Sequence, residues 1–578
     1  MPHLLNTRDV LVSDAIDGEL RAAGGRLARL DGFPDIRVVL RAEPDRSHVA
    51  VISGGGAGHE PAHAGFVGRG LLAAAVSGDV FASPATAAVL AAIRAVAGPP
   101  GVLLVVKNYT GDRLNFGLAA EWARAEGIPV ETVVVGDDVS LPHLAQPRGI
   151  AGTLLVHKIA GHAAESGAEL SAVAATAREA AAAIRSIGMA LSTCTVPGHP
   201  DPADGEGRIA SGEFELGLGI HGEPGAERAR LGTAREVVSV MLDRLGAASL
   251  PGPLALLVNN LGALPPVELA VVTGAALSVL GSRVELLLGP APLMTSLDMK
   301  GFSLSLLPLD DRRRAALLAP TDARAWPEPT CPAAAPPLLP LPRAPSASDT
   351  AGSAPAPGAS APAADPAAHA ILSAALDALC AAENELNRLD GRVGDGDTGS
   401  TVARACRALR ANLDALLRPD AGDPSGTTPD GVWGASLLRI ADSVSRSMGG
   451  SSGVIAAIFL SAAGAALRDG ASWPVALRAG LDRVRFHGGA REGDRTALDA
   501  LEPAIRVLEN GGSPSESAAA AAAGAANTAA ITRTVSGRSA YLGEAELQGH
   551  ADPGAVAVAT LFSALASRPG DRPNDRSD

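Results

Sequence analysis

Aromatic side chains make up only 3% of this 578-residue sequence, and its four cysteines, Cys194, Cys331, Cys380 and Cys406, show no C-x-x-C spacing. Cysteines so placed suit neither a zinc site nor a disulfide framework and fit reduced thiols. Basic charge is also short: the formal net charge is −14 and no long Lys/Arg stripe occurs, which argues against a nucleic-acid partner. No uninterrupted apolar segment is seen to reach the roughly 18 residues that span a bilayer. The alanine tract Ala518–Ala526 reads as an ordinary helix. Met1–Val10 has no basic stretch followed by an apolar run, so a cytoplasmic location and no membrane partner are expected. No G-x-x-x-x-G-K-[ST] loop is present, so any nucleotide site is of another type. The length is too great for one core and predicts two to four domains.

What is present is a dense acidic loop. Asp390, Asp395 and Asp397 fall in the stretch Asp390-Gly391-Arg392-Val393-Gly394-Asp395-Gly396-Asp397-Thr398-Gly399-Ser400-Thr401. Glycine lets the backbone bend so that the carboxylates converge. Such a cluster is costly unless cations neutralise it, and Mg2+ prefers one or two carboxylates together with water and phosphate oxygens. The spacing does not fit a helix-loop-helix calcium site. The bland alternative is a solvated turn.

Up to about residue 325 the chain alternates strand-like and helix-like runs. His48–Ile52, Gly101–Lys107 and Pro129–Val135 read as strands and Asn115–Glu126 as a helix, which predicts a largely parallel, doubly wound sheet. A second α/β section is expected from about residue 186, with strands at Glu213–Ile220, Leu254–Val258 and Val284–Leu288. Ligands in such sheets sit beyond the carboxyl ends of strands. The polar clusters Ser53–Pro61, Lys107–Asp112, Gly136–Asp138 and Asn259–Asn260 all fall there, and His221 is placed at an exposed glycine turn after a strand. Residues 326–364 are rich in Pro, Ala and Ser and read as an extended linker. From 365 to 567 the pattern is all-helical, and 568–578 reads as a tail. Asp365 caps a helix with Pro366 at its first position, a helix expected to run to Gly391. A second helix starts near Gly399 and another follows Met448–Gly453, so that two helix N-termini offer N–H groups to phosphate.

Each signal has an ordinary reading beside the functional one. His59 could cap a turn, Lys107 and Asp112 could be a surface ion pair, and Arg495 and Asp499 could be a salt bridge on a helix face. His157, His162, His199 and His550 earn no role from spacing.

Taken together, the stretches SGGGAGHEP (Ser53–Pro61), KNYTGDRLNFG (Lys107–Gly117), GLGIHGEPG (Gly217–Gly225), GDGDTGST (Gly394–Thr401), GGSSG (Gly449–Gly453), GDRTALDAL (Gly493–Leu501), GRSAYLGE (Gly537–Glu544) and DPGA (Asp552–Ala555) resemble the dihydroxyacetone kinase family in its single-chain, ATP-dependent form. The resemblance implies an α/β substrate domain of two subdomains (1–185 and 186–325), with parallel or mixed sheets, then an all-α eight-helix barrel (365–567) that holds Mg-ATP. It also implies a homodimer whose domains can face across chains. By motif, Gly56, Ala57, Gly58, His59, Lys107 and Asp112 map to substrate binding, and His221 to the histidine that bonds the substrate covalently. Asp390, Asp395 and Asp397 map to the Mg2+ ligands. Thr398, Gly399, Ser400, Thr401, Ser451, Ser452, Gly488, Thr496, Ala497, Asp552, Pro553 and Gly554 map to nucleotide contacts. Ala497 departs from the pattern, since related sequences usually carry methionine there.

The chemistry expected of these residues is selection by a carbonyl. An imidazole nitrogen adds to a ketone and forms a hemiaminal, whereas glycerol has no carbonyl to attack. His59 is expected to hydrogen-bond the new hydroxyl or move its proton, Asp112 to accept the proton of the reacting hydroxyl, and Lys107 to hold a hydroxyl or partner Asp112 electrostatically. Within the class, dihydroxyacetone, erythrulose and glyceraldehyde all satisfy this chemistry. A ligand-sensing regulator and a phosphocarrier-fed transferase are the readings from other classes.

Overall fold

A computed structural model describes residues 3–143, 146–198, 208–342, 365–418, 429–534, 540 and 542–567. His199, most of the linker, part of the GRSAYLGE stretch and the 568–578 tail lie outside the described residues. The chain divides into two compact units, Met1–Leu341 and Pro342–Asp578.

The first unit contains two six-stranded sheets. The strands are β1 Leu27–Arg29, β2 Val38–Arg41, β3 Ala50–Ala57, β4 Ala74–Val80, β5 Val102–Lys107, β6 Val130–Val135, β7 Arg185–Ala190, β8 Glu213–Leu216, β9 Glu227–Arg230, β10 Leu254–Asn260, β11 Val284–Ala291 and β12 Gly301–Pro308. The helices are α1 Leu11–Ala22, α2 Thr86–Val96, α3 Thr110–Ala125, α4 Thr153–Glu165, α5 Leu170–Ala183, α6 Ala234–Arg244, α7 Pro266–Leu280 and α8 Asp311–Leu318.

The first sheet runs β1-β2-β4-β3-β5-β6. Its inner part, β4-β3-β5-β6, is parallel, and β1 and β2 add an antiparallel edge. β5 is buried along its whole length, because α2 and α3 cover one face and α4 and α5 the other. Val51, Leu103 and Val105 of this sheet share one core with Leu154 and Leu155 of α4 and with Ala255, Leu257 and Leu307 of the second sheet.

The second sheet runs β11-β10-β12-β7-β8-β9 and departs from the parallel expectation. Only β10 and β11 are parallel, since β12 enters antiparallel between β10 and β7, and β7-β8-β9 is a meander. Alternation of strands and helices does not reveal where a late strand inserts, and that sets the direction of the pairs. β8 also ends four residues earlier than expected, where Gly217 takes φ 74° and turns the chain out of the sheet. At the end of the unit, Trp326 packs on the core and Thr330 exchanges two backbone hydrogen bonds with Leu287, so residues assigned to the linker from sequence are attached to the α/β unit.

The second unit is helical: α9 Pro366–Ala381, α10 Glu383–Val393, α11 Thr398–Ala411, α12 Leu413–Leu417, α13 Pro429–Ser447, α14 Gly450–Arg468, α15 Trp473–Gly488, α16 Leu498–Glu509, α17 Pro514–Asn527, α18 Glu544–Leu547 and α19 Pro553–Ala566. Eight of them close a ring by successive packing, α9-α11-α13-α14-α15-α16-α17-α19 and back to α9. Asp365 does cap α9, its carboxylate accepting from the Ala367 N–H at 2.9 Å. The single helix expected to stop at Gly391 is in fact two. The chain breaks at Ala382, and Gly391 lies inside α10, which ends at Gly394. One further expectation is corrected here: α14 is 19 residues long, long and apolar enough by length and composition to cross a membrane. It is instead a ring member between α13 and α15, with Ile455, Ile458 and Phe459 on one apolar cluster and Ala456 and Leu460 on another.

Candidate functional sites

In the α/β unit the ends of β3, β4 and β5 meet the turn after β8 around a cavity of about 340 Å3, lined by Gly56, Phe81, Ser83, Tyr109, Asp112, His221 and Glu223 among others. The glycine run at the end of β3 is needed for close approach. A Cβ on Gly56 would lie 2.7 Å from the Ala82 nitrogen, and one on Gly58, at φ 96°, would lie 2.8 Å from the Phe81 ring. Phe81 itself has φ 59°, a conformation that costs a non-glycine residue about 1–3 kcal/mol and tends to mark functional sites.

A loop from the second sheet fixes the end of β3. The Thr295 N–H donates to the His59 carbonyl, the Thr295 hydroxyl donates to the Glu60 carbonyl, and the Leu297 N–H donates to the Gly58 carbonyl. His59 Nδ1 lies 2.8 Å from the Thr295 carbonyl, so Nδ1 carries the proton and Nε2 keeps a lone pair. That Nε2 is buried and has no hydrogen-bond partner. Burial, reinforced by Lys107 and His221, holds the His59 pKa well below the usual imidazole range. Burial also lowers the Lys107 pKa, against the opposing pull of Asp112 and Glu223. Lys107 and Asp112 are 1% and 3% exposed, which removes the surface-pair reading. Asp112 stands in the first turn of α3, and its Oδ1 is buried without a partner.

His221 is the centre of this group. Its ring centroid lies 4.9 Å from that of His59, 5.1 Å from Phe81 and 4.7 Å from Tyr109. Contrary to the expectation of an exposed turn, its side chain is only 19% exposed. The turn that carries it is tied down by Arg148, which pairs with Asp138 and donates at 2.6 Å to the Gly217 carbonyl. The expected Gly56, Ala57, Gly58, His59, Lys107, Asp112 and His221 therefore belong to one neighbourhood. The sequence reading left out Phe81, Tyr109, Glu223 and Thr295 as site residues. Glu223 follows His221 at the second position, a spacing that invited attention. Phe81 follows the end of β4, where the strand-end rule pointed. Thr295 gave no local signal.

In the helical unit Asp390, Asp395 and Asp397 converge. One carboxylate oxygen from each lies within 4.8 Å of the others. Asp390 is buried and Asp395 and Asp397 are exposed. A Cβ on Gly394 would sit 2.3 Å from Asp390 Oδ1, so glycine makes room for that carboxylate. This donor set of hard oxygens fits Mg2+. Asp390 Oδ2 accepts from the N–H groups of Asp397 and Thr398, and Asn387 Oδ1 accepts from that of Ser400. The N-terminus of α11 thus offers phosphate fewer donors than its position suggested, because the preceding helix already caps it. The α14 N-terminus, with Ser451 and Ser452 exposed, has a glycine N-cap and no side-chain cap. It lies beside α11, since Met448 packs on a cluster with Val402 and Cys406.

Two further segments meet at α16 and α19. Ala497 at the start of α16 is near Gly554, whose Cβ would lie 3.5 Å from the Ala497 Cβ. Asp552 caps α19, accepting from the Ala555 N–H at 2.7 Å, and burial raises its pKa to about 6. The salt bridge suggested for Arg495 and Asp499 does not form. Arg495 is buried and donates to the His550 carbonyl, and Asp499 accepts from Gly493 and Thr496. Gly488 is exposed in the last turn of α15.

Comparison with known proteins matches residues 23–325 to the Dak1 domain and 392–567 to the DAK2 domain. A dihydroxyacetone kinase of Citrobacter freundii is 46% identical over 570 residues, 97% of this chain and 98% of that protein. An L-erythrulose 1-kinase of Mycolicibacterium smegmatis is 35% identical over 98% of this chain and 99% of its own. The crystal structure of the C. freundii kinase in complex with AMP-PNP and Mg2+ superposes with a TM-score of 0.67 at 44% identity, covering 98% of this chain and 99% of that one. Both units are thus matched, in order and over nearly their whole lengths, and the chain belongs to the dihydroxyacetone kinase family.

Proposed function

We propose that this protein is an ATP-dependent kinase that phosphorylates a terminal hydroxyl of dihydroxyacetone while His221 holds the ketone as a hemiaminal. The observation that carries the reading is the setting of His221: a ring in a cavity sized for a small molecule, beside the neutral His59 and the buried Asp112. His59 Nε2, a lone pair without a partner, accepts a hydrogen bond from the hemiaminal hydroxyl. Asp112, at the head of α3, accepts the proton of the hydroxyl that is phosphorylated. Lys107 holds the ketose through its hydroxyl oxygens. Gly56, Ala57 and Gly58 bring the backbone against the substrate.

Asp390, Asp395 and Asp397 would hold Mg2+, which when bound would offset the charge of the phosphate. The nucleotide lies against Thr398–Thr401, Ser451, Ser452, Gly488, Thr496, Ala497 and Asp552–Gly554, with Ser451 and Ser452 at the uncapped end of α14. Transfer requires the two sites to meet, within one chain or across a homodimer, and a cytoplasmic supply of ATP. The α/β unit is taken to comprise subdomains 1–185 and 186–325, joined by 326–364 to the helical domain 365–567.

His221→Ala is expected to lose both the ketone adduct, read by intact-protein mass spectrometry, and at least about 10³-fold in turnover. An adduct that survives in this variant overturns the covalent assignment. A second substrate has specific support: the erythrulose kinase relative is similar along its full length. ADP release with Mg-ATP, compared for dihydroxyacetone, D- and L-erythrulose, glyceraldehyde and glycerol, orders the ketoses and is expected to leave glycerol inactive. A regulator is disfavoured because Asp112, His221 and all three carboxylates are present.

A further inference from the structure

His221 needs a reason to attack through one nitrogen and to tolerate the charge this creates, and Glu223 supplies it. Glu223 Oε1 lies 2.8 Å from His221 Nδ1, and Oε2 lies 2.5 Å from the His221 backbone N–H. The carboxylate is therefore gripped from both sides by the residue it serves. The turn is built around it. The Gly219 N–H donates to the Glu223 carbonyl and the Gly222 N–H to the Gly219 carbonyl. A Cβ on Gly219 would lie 1.9 Å from Glu223 Oε2, so only glycine leaves space for this side chain. Burial disfavours the ionised form, yet the hydrogen bonds from His221, together with its charge when the ring is a cation, outweigh it and bring the Glu223 pKa to about 2. Glu223 thus stays a carboxylate and is too weak a base to remove the Nδ1 proton for good.

We propose that Glu223 is the positioning residue that makes His221 a nucleophile: it holds the proton on Nδ1, leaves the Nε2 lone pair for the carbonyl carbon, and neutralises the imidazolium that the adduct contains. The inference rests on the covalent reading above. In the step, the Nε2 lone pair forms the N–C bond and the carbonyl π pair moves onto oxygen. That oxygen takes a proton from solvent water, and the hydroxide left behind is neutralised by the buffer. The ring keeps its Nδ1 proton and becomes a cation paired with Glu223, so one proton is taken up for each adduct formed. The rings packed on His221 are those of His59, Phe81 and Tyr109, and His59 is neutral. Asp112 lines the same cavity, but Glu223 is the carboxylate hydrogen-bonded to the ring, so it is the charge placed to compensate the cation.

The test compares Glu223→Gln, which keeps one acceptor oxygen for Nδ1–H, puts an amide NH2 where the other oxygen accepted from the His221 backbone N–H, and has no charge, with Glu223→Ala, which removes both acceptors. Wild type is first shown to form an adduct that His221→Ala lacks. If wild type forms none, the covalent reading itself fails and the role of Glu223 falls with it. Given that adduct, Glu223→Gln is expected to raise KM about tenfold with kcat changed by less than about threefold, the difference between a charged and a neutral hydrogen bond. Glu223→Ala is expected to lose the adduct and raise KM about 100-fold. Imidazole nitrogen NMR is expected to show Nδ1–H in wild type and in Glu223→Gln, and a mixture of tautomers in Glu223→Ala. Wild-type KM and adduct in Glu223→Ala, or an Nε2–H tautomer in wild type, overturn the proposal. A Glu223→Gln variant indistinguishable from wild type overturns the charge-neutralising part. Glu223→Gln is isosteric, so the comparison survives if the alanine variant fails to fold.

Discussion

The α/β unit and the helical unit solve opposite electrostatic problems. Around His221 the polar groups are withdrawn from water, and several keep a lone pair without a hydrogen-bond partner, such as those of His59 Nε2 and Asp112 Oδ1. A small uncharged ketone brings little binding energy, so directional lone pairs in a low dielectric are what can select it. Around Asp390 the groups are mostly exposed, and the buried carboxylate is already satisfied by the Asp397 and Thr398 N–H groups. The metal and triphosphate proposed for it would carry their own charge, so that site would have only to collect oxygen ligands and need not be dry. Pre-organisation is thus placed where the ligand is weakest.

If this contrast is right, damage to one site leaves the other intact. The largest effect is expected from Asp112→Asn: turnover falls by about 10²–10⁴-fold while the ketone adduct persists, measured by ADP release and mass spectrometry on the same sample. Retained turnover removes Asp112 from the base role. Asp395→Ala is expected to weaken Mg-nucleotide binding by about 10–100-fold in calorimetry without altering the adduct. Because Asp395 is exposed, the fold should persist, and unchanged nucleotide affinity would count against the metal site. Gly58→Ala sharpens the comparison within the α/β unit. Its Cβ meets the Phe81 ring in a left-handed backbone, so a loss of about 1–3 kcal/mol and a raised KM for ketose are expected, with Mg-nucleotide affinity unchanged.

The smallest effect concerns the helical unit. Burial raises the pKa of the folded Asp552 to about 6 from the ordinary aspartate value of 3.8, so the folded state holds more protons between these values and stability falls as pH rises through them. Asp552→Asn is expected to cancel this loss, raising stability by about 1–2 kcal/mol above about pH 7 and changing little below about pH 4. Equal shifts in the melting temperature at both pH values would show that burial does not penalise this carboxylate.

Several elements were legible without coordinates because their cause is local. The run Val102–Lys107 is apolar throughout and lies buried between two helical layers. Asp365 followed by Pro366 caps and starts a helix through neighbouring atoms alone. The break at Ala382 was not legible, since no proline or glycine marks it. Nor was the direction of the second sheet, which depends on where β12 inserts. α14 did not read as long enough to span a bilayer because small and hydroxyl residues punctuate it, yet its average hydropathy is high.

The acidic loop was fixed by the sequence itself. Three carboxylates within a few glycine-rich residues cannot lie far apart, so their meeting follows from the length of chain between them. The pocket around His221 was not determined in this way. His59, Phe81, Asp112, His221 and Thr295 come from distant segments, and only the packing of the two sheets on a shared core brings them together. That packing also decides their state: the Thr295 carbonyl sets the His59 tautomer, and burial keeps the ring neutral. Residue identity names a possible nucleophile or base, but its proton and its lone pair are placed by neighbours that the linear order does not reveal.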